Sequence, residues 1–174
     1  TYGCDPEMFF QRDGQILGAE KVIPEGGLSD NPYTKAQVVL DGVQVELNPS
    51  AANSPQKLGT NISNAFQLLR RHISATPDVT CCWDGVVTVS RKELNSLSPA
   101  SRILGCQPSK NIYGTRPITV NPRTYQKRSA GGHLHFGLRR LMLDNRDDLG
   151  APLDIFLGNT CVLLNRDPLA AERR

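Results

Sequence analysis

Apolar and polar residues alternate strictly from residue 43 to residue 48, with Val43, Val45 and Leu47 apolar and Gln44, Glu46 and Asn48 polar. Such alternation places successive side chains on opposite faces of a strand. Two Asp-Gly pairs, at 13–14 and 41–42, lie between apolar flanks and are typical of hairpin turns. The pattern predicts an extended segment at 3–10 that returns as a strand at 15–19, a loop at 24–33, and a second hairpin at 36–47 that ends before Pro49.

Farther along, apolar residues recur with the helical period of 3.6. Ser54 and Pro55 form a favourable helix start, Pro77 lies beyond the end, and the apolar positions between are Leu58, Ile62, Ala65, Phe66, Leu69 and Ile73. A second amphipathic helix is predicted at 149–164, with Leu153, Phe156, Leu157, Val162 and Leu164. Short strands are predicted at 86–90 and 131–138, and a loop at 91–113. The order of elements indicates an α+β fold with an antiparallel sheet, whose apolar side the first helix covers.

Composition favours one globular domain. The 174 residues are 39% hydrophobic, and no apolar run approaches the roughly 18 residues that span a bilayer. The N-terminus has no basic region followed by an apolar stretch, so no signal peptide is predicted. Because the chain starts without Met and stops at AERR, we expect a piece of a longer protein. The net charge of +3, with both signs mixed, does not by itself favour nucleic acid.

The five cysteines form neither a disulfide pattern nor a zinc pattern. Their number is odd, no CxxC pair occurs, and Cys81 and Cys82 are adjacent. We expect reduced, mostly buried thiols of the kind that intracellular proteins contain. A nucleophilic cysteine has no local sequence support.

Three predicted strands each carry a polar pair at positions i and i+2, where both side chains face the same way. The pairs are Asp5 and Glu7, Glu46 and Asn48, and His133 and His135. In the latter two, the intervening Leu47 and Leu134 face the opposite way. One interpretation is three ordinary solvated strand faces.

The other interpretation of these pairs is a metal site, and the residue types favour it. A generic wet face would be rich in Lys, Thr, Ser and Arg, whereas carboxylates, an amide and imidazoles are all ligands for divalent cations. Mg²⁺ and Mn²⁺ prefer oxygen ligands, and Mn²⁺ tolerates nitrogen. The glycines before His133 also allow another backbone or a phosphate to approach closely.

A basic run flanks the histidines, with Arg123, Lys127 and Arg128 before them and Arg139 and Arg140 after them. By itself such a run is typical of a solvated surface. Beside a metal site, the same cations suit a polyphosphate or carboxylate substrate. The sequence has no P-loop motif and no GxGxxG turn after a strand, so any nucleotide would be held through metals on the sheet.

Four segments, in this order, resemble one enzyme family: GCDPEMFF, DGVQVELNP, GCQPSKNIYG and AGGHLHFG. They resemble the amidoligase (carboxylate–amine ligase) family of bacteriophages, in particular its type 2, phiEco32-like branch, which is related to glutamine synthetase and glutamate–cysteine ligase. The resemblance runs from residue 3 to about residue 164. It implies a glutamine-synthetase-like α+β domain, in which a curved antiparallel sheet has helices packed on one face and binds ATP and divalent metals on its concave face.

The resemblance also implies a reaction and a set of site residues. ATP would phosphorylate a carboxylate, and an amine would displace the phosphate to form an amide or peptide bond, with Mg²⁺ or Mn²⁺ as cofactor. Lys35, in NPYTK, loosely matches a Gly-Gly-Thr-Lys stretch of the family. We expect as metal ligands Asp5, Glu7, Glu46 and His133, as catalytic residues Glu46, His133 and Arg128, and as cofactor-binding residues His135, Lys35, Asn48 and Arg139. Of these, Arg128 and Arg139 come from the basic run and not from the resemblance.

The family continues with a Gly- and Arg-rich segment containing an acid–Arg strand, which would begin near the last residue here. We therefore expect a single amidoligase-like domain, 1–174, that is incomplete at its C-terminus. Two alternatives are a non-catalytic phage structural or assembly protein that retains the fold, and a metal-dependent hydrolase. Expected partners are small-molecule or peptide carboxylates and amines, without membrane or specific nucleic acid, and a homo-oligomer or phage particle is compatible. The expected location is the cytoplasm of a bacterial host, or the virion.

Overall fold

Strand β2 (Glu7–Arg12) is central to the curled antiparallel sheet in the computed structural model of this chain, which describes residues 1–31, 33, 35–104, 121, 124–137, 150 and 152–164. Its second half lies between β3 (Gln15–Leu17) and β6 (Thr80–Cys82). Its first two residues pair with β5 (Gln44–Leu47), which in turn pairs with β4 (Val38–Asp41). The fold is α+β, as the sequence predicts.

Two short ladders accompany this sheet. Strand β1 (Tyr2–Cys4) pairs with β9 (Leu134–Phe136), and β7 (Val86–Thr88) pairs with β8 (Lys127–Ser129). All strand pairs among the described residues are antiparallel. The segment predicted as one strand at 3–10 is interrupted at Asp5-Pro6, so that β1 and β2 are separate strands.

Helix α1 (Pro55–Ser74) packs on one face of the sheet. The Ser54 hydroxyl caps it by accepting a hydrogen bond from the Lys57 N–H, at 3.2 Å, and Pro55 occupies the first turn. The helix buries Ala65 and Leu69 in a core that also contains Met8, Phe10, Val38, Val45 and Leu47. The first predicted helix and the apolar face that it covers are confirmed.

A second core lies on the opposite face of β2, because Phe9 points away from Met8 and Phe10. Phe9 packs there with Leu94 of α2 (Arg91–Ser96) and with Val43, Cys82, Val87, Val89, Leu97 and Ala130. The expectation that helices pack on one face only is therefore wrong for α2. Part of the sheet is therefore apolar on both faces. A search for alternating apolar and polar residues finds strands with one apolar face and does not identify such a region.

The predicted loop at 91–113 is also wrong for its first half, residues 91–102, which contains two short helices. Helix α2 is followed by α3 (Pro99–Arg102), and each begins with a serine cap: Ser90 accepts from the Glu93 N–H, and Ser98 from the Ser101 N–H. Both caps are visible in the sequence, and Ser98-Pro99 repeats the Ser54-Pro55 signal. The two helices have six and four residues, which is too short for a helical period of apolar residues to be recognised in the sequence.

The predicted C-terminal helix is present in its described part, as a π-helical turn (Asp154–Gly158) followed by α4 (Asn159–Leu164). Of its predicted apolar side chains, Leu153, Phe156, Leu157 and Leu164 are exposed rather than buried. Leu134 of β9, predicted to face an apolar side, is likewise 67% exposed. Among the described residues, no helix has both the length and the apolarity needed to cross a membrane.

Candidate metal-binding site

Strand pairing brings three carboxylates together on the sheet. Glu7 of β2 lies directly opposite Glu46 of β5, and Asp41 at the end of β4 lies opposite Gln44. One carboxylate oxygen from each of Glu7, Asp41 and Glu46 lies within 4.8 Å of the others, and all three residues are half-buried. We call these residues the acidic cluster. Three converging oxygen ligands suit a hard divalent cation such as Mg²⁺ or Mn²⁺.

The acidic cluster is electrostatically unfavourable without a cation. Burial, together with repulsion from Asp5, Asp41 and Glu7, raises the pKa of Glu46 to about 7. Burial also raises the pKa of Glu7 and that of Asp41, with repulsion from a neighbouring carboxylate adding to each shift. A bound cation would offset the repulsion, so the charges of the cluster favour the same ligand as its geometry.

Hydrogen bonds fix two of the three carboxylates. Glu7 Oε2 accepts one from the Gly131 N–H at 2.9 Å and one from Gln44 Nε2 at 3.2 Å. Gln44 Nε2 also lies 3.3 Å from Asp41 Oδ2 and 3.3 Å from the Ser129 carbonyl oxygen. Glu7 and Asp41 are therefore oriented by donors that belong to the sheet and to the chain leading to the histidines.

Asp5 organises the histidine pair, His133 and His135. Its carboxylate lies 3.1 Å and 3.2 Å from His133 Nδ1, lies 3.0 Å from His135 Nε2, and accepts a hydrogen bond from the His133 backbone N–H. Burial alone would raise the pKa of Asp5, but the His133 N–H and both imidazoles lower it below its ordinary value. Because an ionised carboxylate only accepts, His133 donates through Nδ1 and His135 through Nε2. In a neutral imidazole the second ring nitrogen, Nε2 of His133 or Nδ1 of His135, is an acceptor.

Two glycines allow the backbones at this site to approach closely. Gly132 has φ +155°, and a Cβ there would lie 3.1 Å from both the Asp5 carbonyl oxygen and Pro6 Cα. A Cβ on Gly3 would lie 3.3 Å from His135 Cβ. The expectation that glycines before His133 allow another backbone to approach is confirmed at Gly132.

A cleft of about 970 Å³ opens beside these groups. Five residues predicted from the sequence line it: Asp5, Lys35, Glu46, Asn48 and His135. Asn48 is exposed and is not part of the acidic cluster, and Lys35 is exposed on the preceding loop. The structure thus brings at least one residue from each predicted polar pair, together with Lys35, to a single concave surface large enough for a small-molecule ligand.

Arg128 does not join this surface in the predicted catalytic role. It is 3% exposed, and its guanidinium donates to the carbonyl oxygens of Arg102 at 3.1 Å, of Lys127 at 3.0 Å and of Tyr125. These bonds join two backbone segments, residues 125–128 and the end of α3 at Arg102, so the structure gives Arg128 a structural position. Arg139, predicted to bind the cofactor, lies outside the described residues, as do Arg123, Arg140 and Cys106.

Two residues of the site, Asp41 and Gln44, are missing from the sequence-based candidates. Asp41 belongs to an Asp-Gly turn, where an aspartate has a sufficient conformational explanation. Gln44 shares the alternating face with Glu46 and Asn48, so that the same spacing indicates it.

Comparisons with protein-family models, with curated proteins and with solved structures find no match to this chain.

Proposed function

We propose that this chain is the catalytic domain, or part of it, of an ATP- and divalent-metal-dependent carboxylate–amine ligase with a glutamine-synthetase-like sheet. The observation that carries the proposal is the convergence of Glu7, Asp41 and Glu46 from three strands within 4.8 Å, beside a cleft that Asp5 and His135 line. The ordered resemblance of four sequence segments to amidoligases supports the finer assignment.

In the proposed reaction, a substrate carboxylate oxygen attacks the γ-phosphorus of ATP and ADP leaves. An amine nitrogen then attacks the acyl carbon of the acyl phosphate, inorganic phosphate leaves, and the nitrogen gives up a proton. A divalent ion supplies charge neutralisation for the transferred phosphoryl group. Glu7, Asp41 and Glu46 are the residues that would hold it.

The remaining groups of the site have complementary roles in this proposal. The second ring nitrogen of a neutral His133 or His135 can take the proton from the amine. Lys35, on the cleft wall, can pair with a phosphate or with the substrate carboxylate. The cleft is thus lined by carboxylates, an imidazole and a lysine. Such a lining suits two substrates, a polyphosphate–metal complex and an amine.

The test of the proposed function has two steps. Calorimetry should detect Mn²⁺ or Mg-ATP binding to the wild-type chain and its loss in Glu46→Ala, with the far-UV circular dichroism unchanged. ADP release should then require both a carboxylate and an amine from a panel of amino acids and polyamines. Absence of metal and Mg-ATP binding in the wild type, or equal affinity in Glu46→Ala, would refute the assignment.

A metal-dependent hydrolase is the second candidate, and the bond between Asp5 and His133 favours it. A histidine oriented by a carboxylate can act as the general base toward an attacking water, and a cation held by the acidic cluster would supply charge stabilisation. A hydrolase would release ADP or another product without an amine. Phosphate release that is independent of added amine and carboxylate would therefore select this candidate over the ligase.

A further inference from the structure

Gln44 is the most buried polar side chain at the site, at 6% exposure, and its amide nitrogen faces three acceptors. We infer that Gln44 is a positioning residue that holds the acidic cluster in its cation-binding arrangement and connects it to the histidine segment, residues 131–136. The inference rests on the proposed metal site and adds a residue that acts on the metal through other side chains.

The first step is the geometry of the amide. Gln44 Nε2 lies 3.2 Å from Glu7 Oε2 and 3.3 Å from Asp41 Oδ2, so one neutral donor stands between two carboxylates. Without a donor between them, two ionised carboxylates whose oxygens lie within 4.8 Å repel each other, and the side chains separate or one of them takes up a proton. Each carboxylate uses one oxygen for this contact, Oε2 of Glu7 and Oδ2 of Asp41.

The second step is the connection to the other half of the site. Gln44 Nε2 lies 3.3 Å from the carbonyl oxygen of Ser129 in β8, two residues before Gly131. The Gly131 N–H donates to the same Glu7 oxygen that Gln44 contacts. Because Nε2 carries two hydrogens, its contacts with Glu7, Asp41 and the Ser129 carbonyl share them, while the Gly131 N–H ties the same Glu7 oxygen to the chain entering the histidine segment. Outer partners of this kind orient metal ligands and typically change metal affinity by roughly 10- to 100-fold.

The first experiment compares two glutamines. Gln44→Met removes the donors at similar volume, whereas Gln126→Met removes one amide hydrogen bond, from Gln126 Nε2 to the Val89 carbonyl, away from the acidic cluster. Calorimetric titration with Mn²⁺ should show about a 10-fold weaker Kd for Gln44→Met and an unchanged Kd for Gln126→Met. Equal Kd values for Gln44→Met and the wild type would overturn the inference.

The second experiment uses the wild-type chain, so it does not depend on the folding of a variant. The side-chain amide resonances of Gln44 and Gln126 are followed by NMR during titration with Mg²⁺. The Gln44 amide should shift along the binding curve while that of Gln126 stays in place. Metal binding without a Gln44 shift would contradict the positioning role and leave the proposed function standing. If no metal binds at all, both the proposed function and this inference are refuted.

Discussion

Glu46 is the residue whose ionisation the fold opposes most strongly. Its pKa of about 7 lies well above the ordinary 4.5, first because of burial and then because Asp5, Asp41 and Glu7 are nearby. A carboxylate with a raised pKa keeps its proton in the folded state at a pH where the unfolded chain has lost it. Between the ordinary pKa of 4.5 and the folded-state pKa of about 7, raising the pH therefore favours unfolding.

This linkage predicts that the metal-free protein loses stability as the pH rises from about 4.5 to about 7. Urea denaturation across this range, followed by circular dichroism, measures the free energy of unfolding at each pH. Glu46→Gln should remove part of the decline, because the amide does not ionise, while Glu25→Gln, an exposed control, should retain it. A decline of equal size in Glu46→Gln would show that Glu46 is not the group responsible.

Mg²⁺ should stabilise the protein more at pH 8 than at pH 5, because the cation binds the ionised carboxylates and not their protonated forms. The measurement is the thermal midpoint with and without saturating Mg²⁺ at each pH. A gain in midpoint that is independent of pH, or present equally in Glu46→Gln, would place the cation elsewhere.

His133 and His72 allow a comparison between a histidine at the site and one outside it. His133 contacts Asp5 through Nδ1, whereas His72, near the end of α1, donates from Nε2 to the Val22 carbonyl oxygen at 2.6 Å. We expect His133→Ala to weaken Mg-ATP binding about 10-fold, within the range for a metal-site neighbour, and His72→Ala to affect only stability. Calorimetric titration with Mg-ATP measures both affinities. Equal losses of affinity in His133→Ala and His72→Ala would favour the interpretation that the histidine pair is an ordinary solvated strand face.

At the residue scale, the sequence predicts those members of the site that alternation identifies. Glu46 lies in a strand with period two, whereas Glu7 is a candidate because it lies two residues after Asp5; strand pairing then places Glu7 directly opposite Glu46. Asp41 is not predicted, because a turn explains it equally well, and only the register of β4 with β5 moves it to the acidic cluster. The position of Arg128 could not be predicted either, since burial of a guanidinium depends on carbonyl groups distant in sequence.

At the element scale, the connection from β8 to β9 decides where the histidines stand. Gly132 permits a positive φ and a close approach to Asp5 and Pro6 that a larger residue cannot make. Gly132→Ala should therefore cost about 1–3 kcal/mol of stability and weaken Mn²⁺ binding, because His133 is the next residue. Chemical denaturation and a metal titration of the same variant measure the two effects.

Gly59→Ala is the matched control for that substitution. Gly59 lies in α1, and a Cβ there meets nothing within 4 Å. Alanine should stabilise the helix by about 0.5–1 kcal/mol and leave metal affinity unchanged. If Gly132→Ala were as harmless as Gly59→Ala, the close backbone approach at the histidine segment would not be a requirement of the site.

The elements that the sequence predicts well are those with long or strongly alternating patterns, α1 and the hairpin of β4 and β5. Strands β6 and β8 have three residues each, too few to establish a period. They become strands because β2 and β7 supply partners. Their prediction requires knowledge of the pairing, which single-sequence patterns do not contain.

At the scale of the whole molecule, β2 carries the two cores back to back. Phe10 packs under α1, and Phe9 packs under α2 and beside β7. The acidic cluster begins where the second core ends, because Glu7 is the next residue along the Phe9 face. The sequence predicts the α+β class and one covered face, but the second core depends on residues from four separate segments.

Because both cores share β2, we predict that they unfold as one unit. Phe9→Leu, in the second core, should lower stability by about 1 kcal/mol, and the single tryptophan, Trp83, reports on the first core through its contact with Phe66. The urea midpoint from Trp83 fluorescence should therefore fall by as much as the midpoint from far-UV circular dichroism. Phe10→Leu, on the tryptophan side, is the control and should shift both signals together. A Phe9→Leu variant that moves the dichroism midpoint but not the fluorescence midpoint would show that the two faces of the sheet fold independently, and that the metal site rests on only one of them.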